Sequence, residues 1–129
     1  MAISSIFQQN SDFYTQGGSA EDSGDTWTDT TDIRSNFPIL NFKVGNIYTA
    51  FRIIVVVNVY ATPNVSETFD LLGTYDGTHW TMSQNSVQSI NGTSNVVFSI
   101  DNLGQISYTS TPAFTDFSKR VFKWLKRTL

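Results

Sequence analysis

The chain has no cysteine, so it can form no disulfide framework and offers no thiolate as nucleophile or metal ligand. It has a single histidine, His79. A zinc site draws three or four ligands mostly from histidine and cysteine, so none can be assembled here. A Ser-His-Asp arrangement would have to use His79 as its base, and this residue follows a turn signal, where side chains are usually solvated. No apolar run approaches the ~20 residues of a membrane helix, the longest being Ile53 to Val57. The start, Met1-Ala2-Ile3-Ser4-Ser5-Ile6, lacks the basic and apolar regions of a secretory leader, and none is expected.

Charge is also scarce, and what there is lies apart. Before Arg34 stand six acids (Asp12, Glu21, Asp22, Asp25, Asp29, Asp32) and no base; after Phe117 stand five bases (Lys119, Arg120, Lys123, Lys126, Arg127) and no acid. A basic tail can bind nucleic acid, but a net charge of -3 opposes a polyanion. The simpler reading is that the two ends lie close together, within one subunit or between two, and screen each other. Neither nucleic acid nor membrane is expected as a partner.

What the chain does have is strand grammar. At 129 residues it is read as one folding unit, with residues 1–35 as a flexible acidic N-terminal arm or loop region and 36–129 as the folded domain. Within the arm, Gly17 to Gly24 reads as loop, while Ile3, Ile6, Phe7, Phe13 and Tyr14 could form a strand. Phe37-Pro38-Ile39-Leu40 fits an edge strand, because proline cannot donate to a ladder. Ile47 to Thr62 is rich in β-branched and aromatic residues. Its continuous apolar run predicts burial on both faces. Asp76-Gly77 between two alternating segments predicts a two-residue turn with both residues at positive φ. Asn91-Gly92 and Asn102-Leu103-Gly104 mark further turns. In the last segment, Val121, Phe122, Trp124 and Leu125 fall on one helical face by periodicity; as a strand, the same residues put Phe122 and Trp124 on one side.

Candidate chemistry is thin. Asp22, Asp25, Asp29 and Asp32 surround Trp27, but their spacing does not match a calcium-binding loop, and a solvated acidic loop is the reading taken. Glu67 and Asp70 could be named as a carboxylate pair for glycoside hydrolysis; three apart on a strand, they point to opposite faces. Tyr75, His79 and Trp80 cluster around a hairpin, where aromatics can stack on sugars, and are the ligand-binding candidates. For Trp80 the competing reading is core, with Trp80 and Met82 inward and Thr81 and Ser83 outward. No catalytic residue, metal or cofactor emerges.

From Leu71 onward the phrases Leu71-Leu72-Gly73, His79-Trp80-Thr81-Met82-Ser83, Val97-Phe98-Ser99-Ile100, Gly104-Gln105-Ile106-Ser107-Tyr108-Thr109-Ser110-Thr111 and Phe122-Lys123-Trp124 form a recognisable series. The series resembles one found in structural and fibre-like virion proteins of tailed marine bacteriophages and of large DNA viruses of algae and amoebae. The resemblance covers the C-terminal half. It implies an all-β virion component without enzymatic activity, and it makes the last segment a strand, against the helical periodicity.

The expectation is an antiparallel β-sandwich of jelly-roll type with about eight strands. Its role would be that of a non-enzymatic structural subunit of a virus or phage, capsid-decorating or at a fibre tip. The alternative is a carbohydrate-binding module for host attachment. Because a sandwich leaves its outer faces in water, the outward Ile54 and Val56 predict an oligomer interface, with a homotrimer as the expected assembly. Its partners would be its own copies, other virion proteins and a host glycan.

Overall fold

Period-two alternation carries the chain into strands wherever the sequence permits. In the computed structural model, which describes residues 20–39 and 42–129, these are β1 (Ala20–Asp29), β2 (Arg34–Pro38), β3 (Ala50–Tyr60), β4 (Val65–Tyr75), β5 (Trp80–Ile90), β6 (Val96–Ile100), β7 (Ile106–Ser110) and β8 (Lys119–Thr128). They form a five-stranded sheet, β1-β8-β3-β4-β5, and a three-stranded sheet, β2-β7-β6, with antiparallel pairing throughout. The all-β sandwich expected from the sequence is the fold observed. The β1·β8 and β2·β7 pairs nest in opposite sheets, the rolled half of the topology. The β3-β4-β5 meander completes the large sheet.

β3 shows how the core is made. Its residues alternate between buried and half-buried along the strand, so Phe51, Ile53, Val55, Val57 and Val59 point inward. The continuous apolar run is therefore half core and half outer face. Phe42 from the β2–β3 connection, with Phe98, Tyr108, Phe122 and Trp124 from the other strands, fills the space between the sheets. Phe42 meets Trp124 edge-on at 4.4 Å and Tyr108 lies 4.9 Å from Phe122, both between ring centroids. Each such side chain contributes about 1.5–3 kcal/mol through burial.

The C-terminal segment is strand, not helix. β8 lies between β1 and β3 and bonds to both; a helix there would forfeit two ladders of backbone hydrogen bonds. Phe122 and Trp124 both turn inward.

Two expectations need correction. The boundary between residues 35 and 36 falls inside β2, and residues 20–35 belong to the sandwich: β1 is a full member of the large sheet, and Trp27 packs on Phe122 at 5.4 Å. The acidic stretch counts as a strand because β8 supplies its hydrogen-bonding edge. Residues 20–24 of the expected loop are part of β1; the readings for residues 1–19 lie outside the described residues.

The second correction concerns the β4–β5 turn, which does not have Asp76-Gly77 as its central pair. Gly77 has φ +99° and Asp76 is not at positive φ. The Asp76 carboxylate accepts the Thr78 and His79 N–H groups at 2.8 and 2.7 Å, and the Asp76 N–H donates to the His79 carbonyl at 3.1 Å. That makes Asp76 the residue before the turn and Gly77-Thr78 the central pair. A positive φ at the first central position alone is the II′ pattern. The pattern with two positive φ values occurs instead at Asn91 and Gly92, where the chain leaves the large sheet for the small one.

Candidate functional site

The β4–β5 tip separates the three ligand-binding candidates. Trp80 is 5% exposed. Its ring lies 5.3 Å from Phe51 and 5.0 Å from Tyr75, and its indole N–H donates to Asn46 Oδ1 at 3.0 Å. It belongs to the core, because an inward position at the start of β5 offers its large apolar ring more burial than the tip could, and it is withdrawn as a stacking platform. Tyr75 is half-buried against it, and His79 is exposed at the turn. Thus only Tyr75 and His79 reach solvent here, and they do not form a flat aromatic face.

Ile54 and Val56 both lie on the outer face of the large sheet, half-buried. Their row neighbours explain this: Ile54 stands between Asp70 and Leu125, Val56 between Thr68 and Lys123. Arg52 donates to both Asp70 carboxylate oxygens, at 3.1 and 3.0 Å. The outer face is thus a mixture of aliphatic and charged residues rather than an apolar patch.

Depressions lie on the large sheet among the described residues. One, of about 430 Å³, is bordered by Ala50, Arg52, Leu72, Thr74, Arg127 and Leu129. Another, of about 250 Å³, lies at the opposite end of β3 and β4 and is bordered by Asn58, Tyr60, Asn64, Ser66, Ile90 and Asn91. Tyr60 is 40% exposed and the Lys119 ammonium sits 4.9 Å from its ring centre. Asn64 accepts the Ala61 N–H through its side chain, and its carbonyl receives the Asn91 amide. An amide-lined hollow beside an aromatic ring has the chemistry of a neutral hydroxylated ligand.

The ionisable groups inside the sandwich are used to join its parts. Asp29, 3% exposed, takes a bidentate contact from Arg34 at 2.8 Å for each oxygen, with further hydrogen bonds from the Tyr108 hydroxyl and the Thr31 N–H. Burial pushes its pKa up, but the donors from Arg34, Tyr108 and Thr31 outweigh this and hold it at about 2. Burial and the hydrogen bond to Asp29 raise the Tyr108 phenol well above its ordinary value. Arg120 is fully buried. It donates to the carbonyls of Thr31 and Asp32 at 3.1 and 2.9 Å and lies 3.5 Å from the Asp32 carboxylate.

Glu67, 6% exposed, pairs with no cation in the recorded ion pairs of the described residues. It accepts Ser86 Oγ at 2.6 Å, the Ser94 N–H and Oγ each at 2.8 Å, and Thr93 Oγ1 at 3.4 Å. Burial works against its ionisation, yet these donors bring its pKa below the ordinary value. Asp70 points outward, so the two carboxylates of β4 are on opposite faces, as alternation requires.

The sequence reading passed over Asp29, Glu67 and Arg120 as inward residues. A signal was there: Arg120 has the parity of Phe122 and Trp124, and Glu67 that of Phe69 and Leu71. The acidic and basic ends do lie together, since β1 pairs with β8 and puts Glu21 opposite Arg127, Asp22 opposite Lys126 and Asp29 opposite Arg120.

No family model and no curated protein matches the sequence. Among solved structures, the chain is similar to the crystal structure of the Acinetobacter phage vB_ApiP_P1 tailspike protein, with 16% identity and a TM-score of 0.44. The similarity covers 82% of this chain and 21% of that one, so this chain spans about a fifth of the tailspike's length.

Proposed function

We propose that the protein is a non-enzymatic structural subunit of a virus or phage particle, in a capsid-decorating or fibre-tip position, and that it self-associates. The observation that carries this reading is the use made of the buried carboxylates. Asp29 and Glu67 are the residues an enzyme of this composition would call on, and both are saturated with internal donors that tie strands together. A general acid needs a raised pKa and an open approach; these groups have lowered pKa values and are enclosed. The five phrases behind the virion resemblance also fall on consecutive strands, β4 to β8, or at their ends. Mass spectrometry of gradient-purified particles of the encoding virus tests the reading. Peptides of this chain should persist in stoichiometric amounts, and their loss on purification would overturn it.

A second reading, carbohydrate binding in host attachment, is favoured by the amide-lined hollow beside Tyr60. Binding on a glycan array that disappears with Tyr60→Ala supports it; array binding indifferent to Tyr60 counts against that hollow.

A further inference from the structure

Among the described residues the two sheets end in four edge strands, β1, β5, β2 and β6, and three of them carry recognisable obstacles to pairing. β1 has four acids in its sequence and a register shift between Ser23 and Asp25, so a second β1 laid against it would bring acid to acid. β2 has five residues, among them Arg34 and Pro38, and an irregular register. β6 also has five, and its edge is occupied from the other sheet: the Gln84 side chain accepts the Phe98 N–H at 2.8 Å and donates to the Val96 carbonyl at 3.0 Å. Short length, charge, proline and covered edges are the usual means of preventing edge-to-edge association.

β5 is different. It has eleven residues, Trp80–Ile90, with no proline and no charge. Indeed no Asp, Glu, Lys or Arg occurs anywhere from Gly77 to Ile100. It pairs with β4 on one side, and among the described residues no backbone bond to another strand is recorded on the other. Its one obstacle is a register shift opposite Thr68 and Phe69, which leaves Val87 as the extra residue. That residue is 60% exposed, with Ile90 at 53% and Val97 of neighbouring β6 at 62%.

We propose that the free edge of β5 pairs antiparallel with β5 of a second copy of this chain, joining two five-stranded sheets across a two-fold axis. A two-fold interface places a surface against itself, so any charge near the axis meets its own sign. The stretch from Gly77 to Ile100 meets that condition without exception, and the exposed Val87, Ile90 and Val97 gain apolar cover. The inference rests on the reading of the protein as a self-associating subunit and specifies the surface used.

Sedimentation equilibrium over the micromolar range, with hydrogen exchange on the same samples, tests it. Wild type should run at twice 14.4 kDa, and β5 amides should exchange about tenfold more slowly as concentration rises, while β1 amides do not. Val87→Lys and Gln88→Lys should each shift the protein to monomer with unchanged circular dichroism. Leu103→Lys, at an exposed site in the β6–β7 loop, should remain dimeric. A wild-type monomer at every concentration overturns both the pairing and self-association. An oligomer that survives both lysine variants, with no concentration-dependent protection in β5, overturns the pairing and leaves the subunit reading standing.

Discussion

Of the four places where the chain crosses between the sheets, β1–β2 and β5–β6 are each held by a buried carboxylate, in different ways. At the β1–β2 corner Asp29 faces the Arg34 guanidinium, five positions away, with Arg120 close by, and further partners come from distant parts of the chain: Tyr108 is 79 positions away, and Arg120 and Asp32 are 88 apart. At the β5–β6 corner Glu67 faces hydroxyls and one backbone N–H, all within 19 to 27 positions. Neutral donors suffice where a carboxylate can be surrounded by neighbours in a meander. Where the two ends of the chain must be joined, the fold brings in cations, and thereby buries charges that become expensive if left unpaired.

Breaking the ionic corner should therefore have the largest effect. Arg120→Met takes the cation from beside the Asp32 carboxylate and one donor from each of the Thr31 and Asp32 carbonyls, and should cost about 3–5 kcal/mol; urea denaturation at neutral pH measures it, and a loss below about 1 kcal/mol would place the stability of that corner elsewhere. Acid should come next. The folded-state pKa of Asp29, about 2, lies below its unfolded value near 3.9. The stability it contributes is fully present above the unfolded pKa and is lost as pH falls from about 4 towards 2, on the order of 2–3 kcal/mol. Glu67 shifts the same way. Asp29→Asn should flatten the pH dependence of the melting temperature below pH ~4; an unchanged slope would mean that Asp29 is not held ionised.

The neutral corner should give way more gently. Ser94→Ala removes a hydroxyl donor to Glu67 and leaves the Ser94 N–H bond in place, so a loss of about 1–2 kcal/mol is expected from thermal melts. An equal loss from Ser94→Ala and Arg120→Met would erase the contrast between the corners. An effect as small as that of Ser94→Ala belongs to a position outside both corners. Gly77→Val forces a β-branched residue to φ +99° with open space around its Cβ, so backbone strain alone should cost about 1–2 kcal/mol. A neutral result would show that the turn relaxes to another type.

Much of the architecture was legible because alternation is local. The inward Trp80 and Met82, the proline-bearing edge strand β2 and the turns at Asn91-Gly92 and Asn102-Leu103-Gly104 follow from neighbouring residues alone. For β8, local periodicity pointed to a helix, and the strand became legible only through resemblance. Asp29 and Arg120 were not legible as a site, since a charged residue next to polar neighbours reads as surface until a partner from the far end of the chain meets it.

The sequence by itself determined an all-β chain with no thiol, no zinc site and one isolated histidine, because those conclusions depend only on which residues exist and how they alternate. Tertiary structure alone decided that the acidic N-terminal stretch is a strand and which partners meet the buried Asp29, Glu67 and Arg120. Each of those outcomes depends on which edge, ring or donor arrives from elsewhere, and no local pattern encodes that arrival.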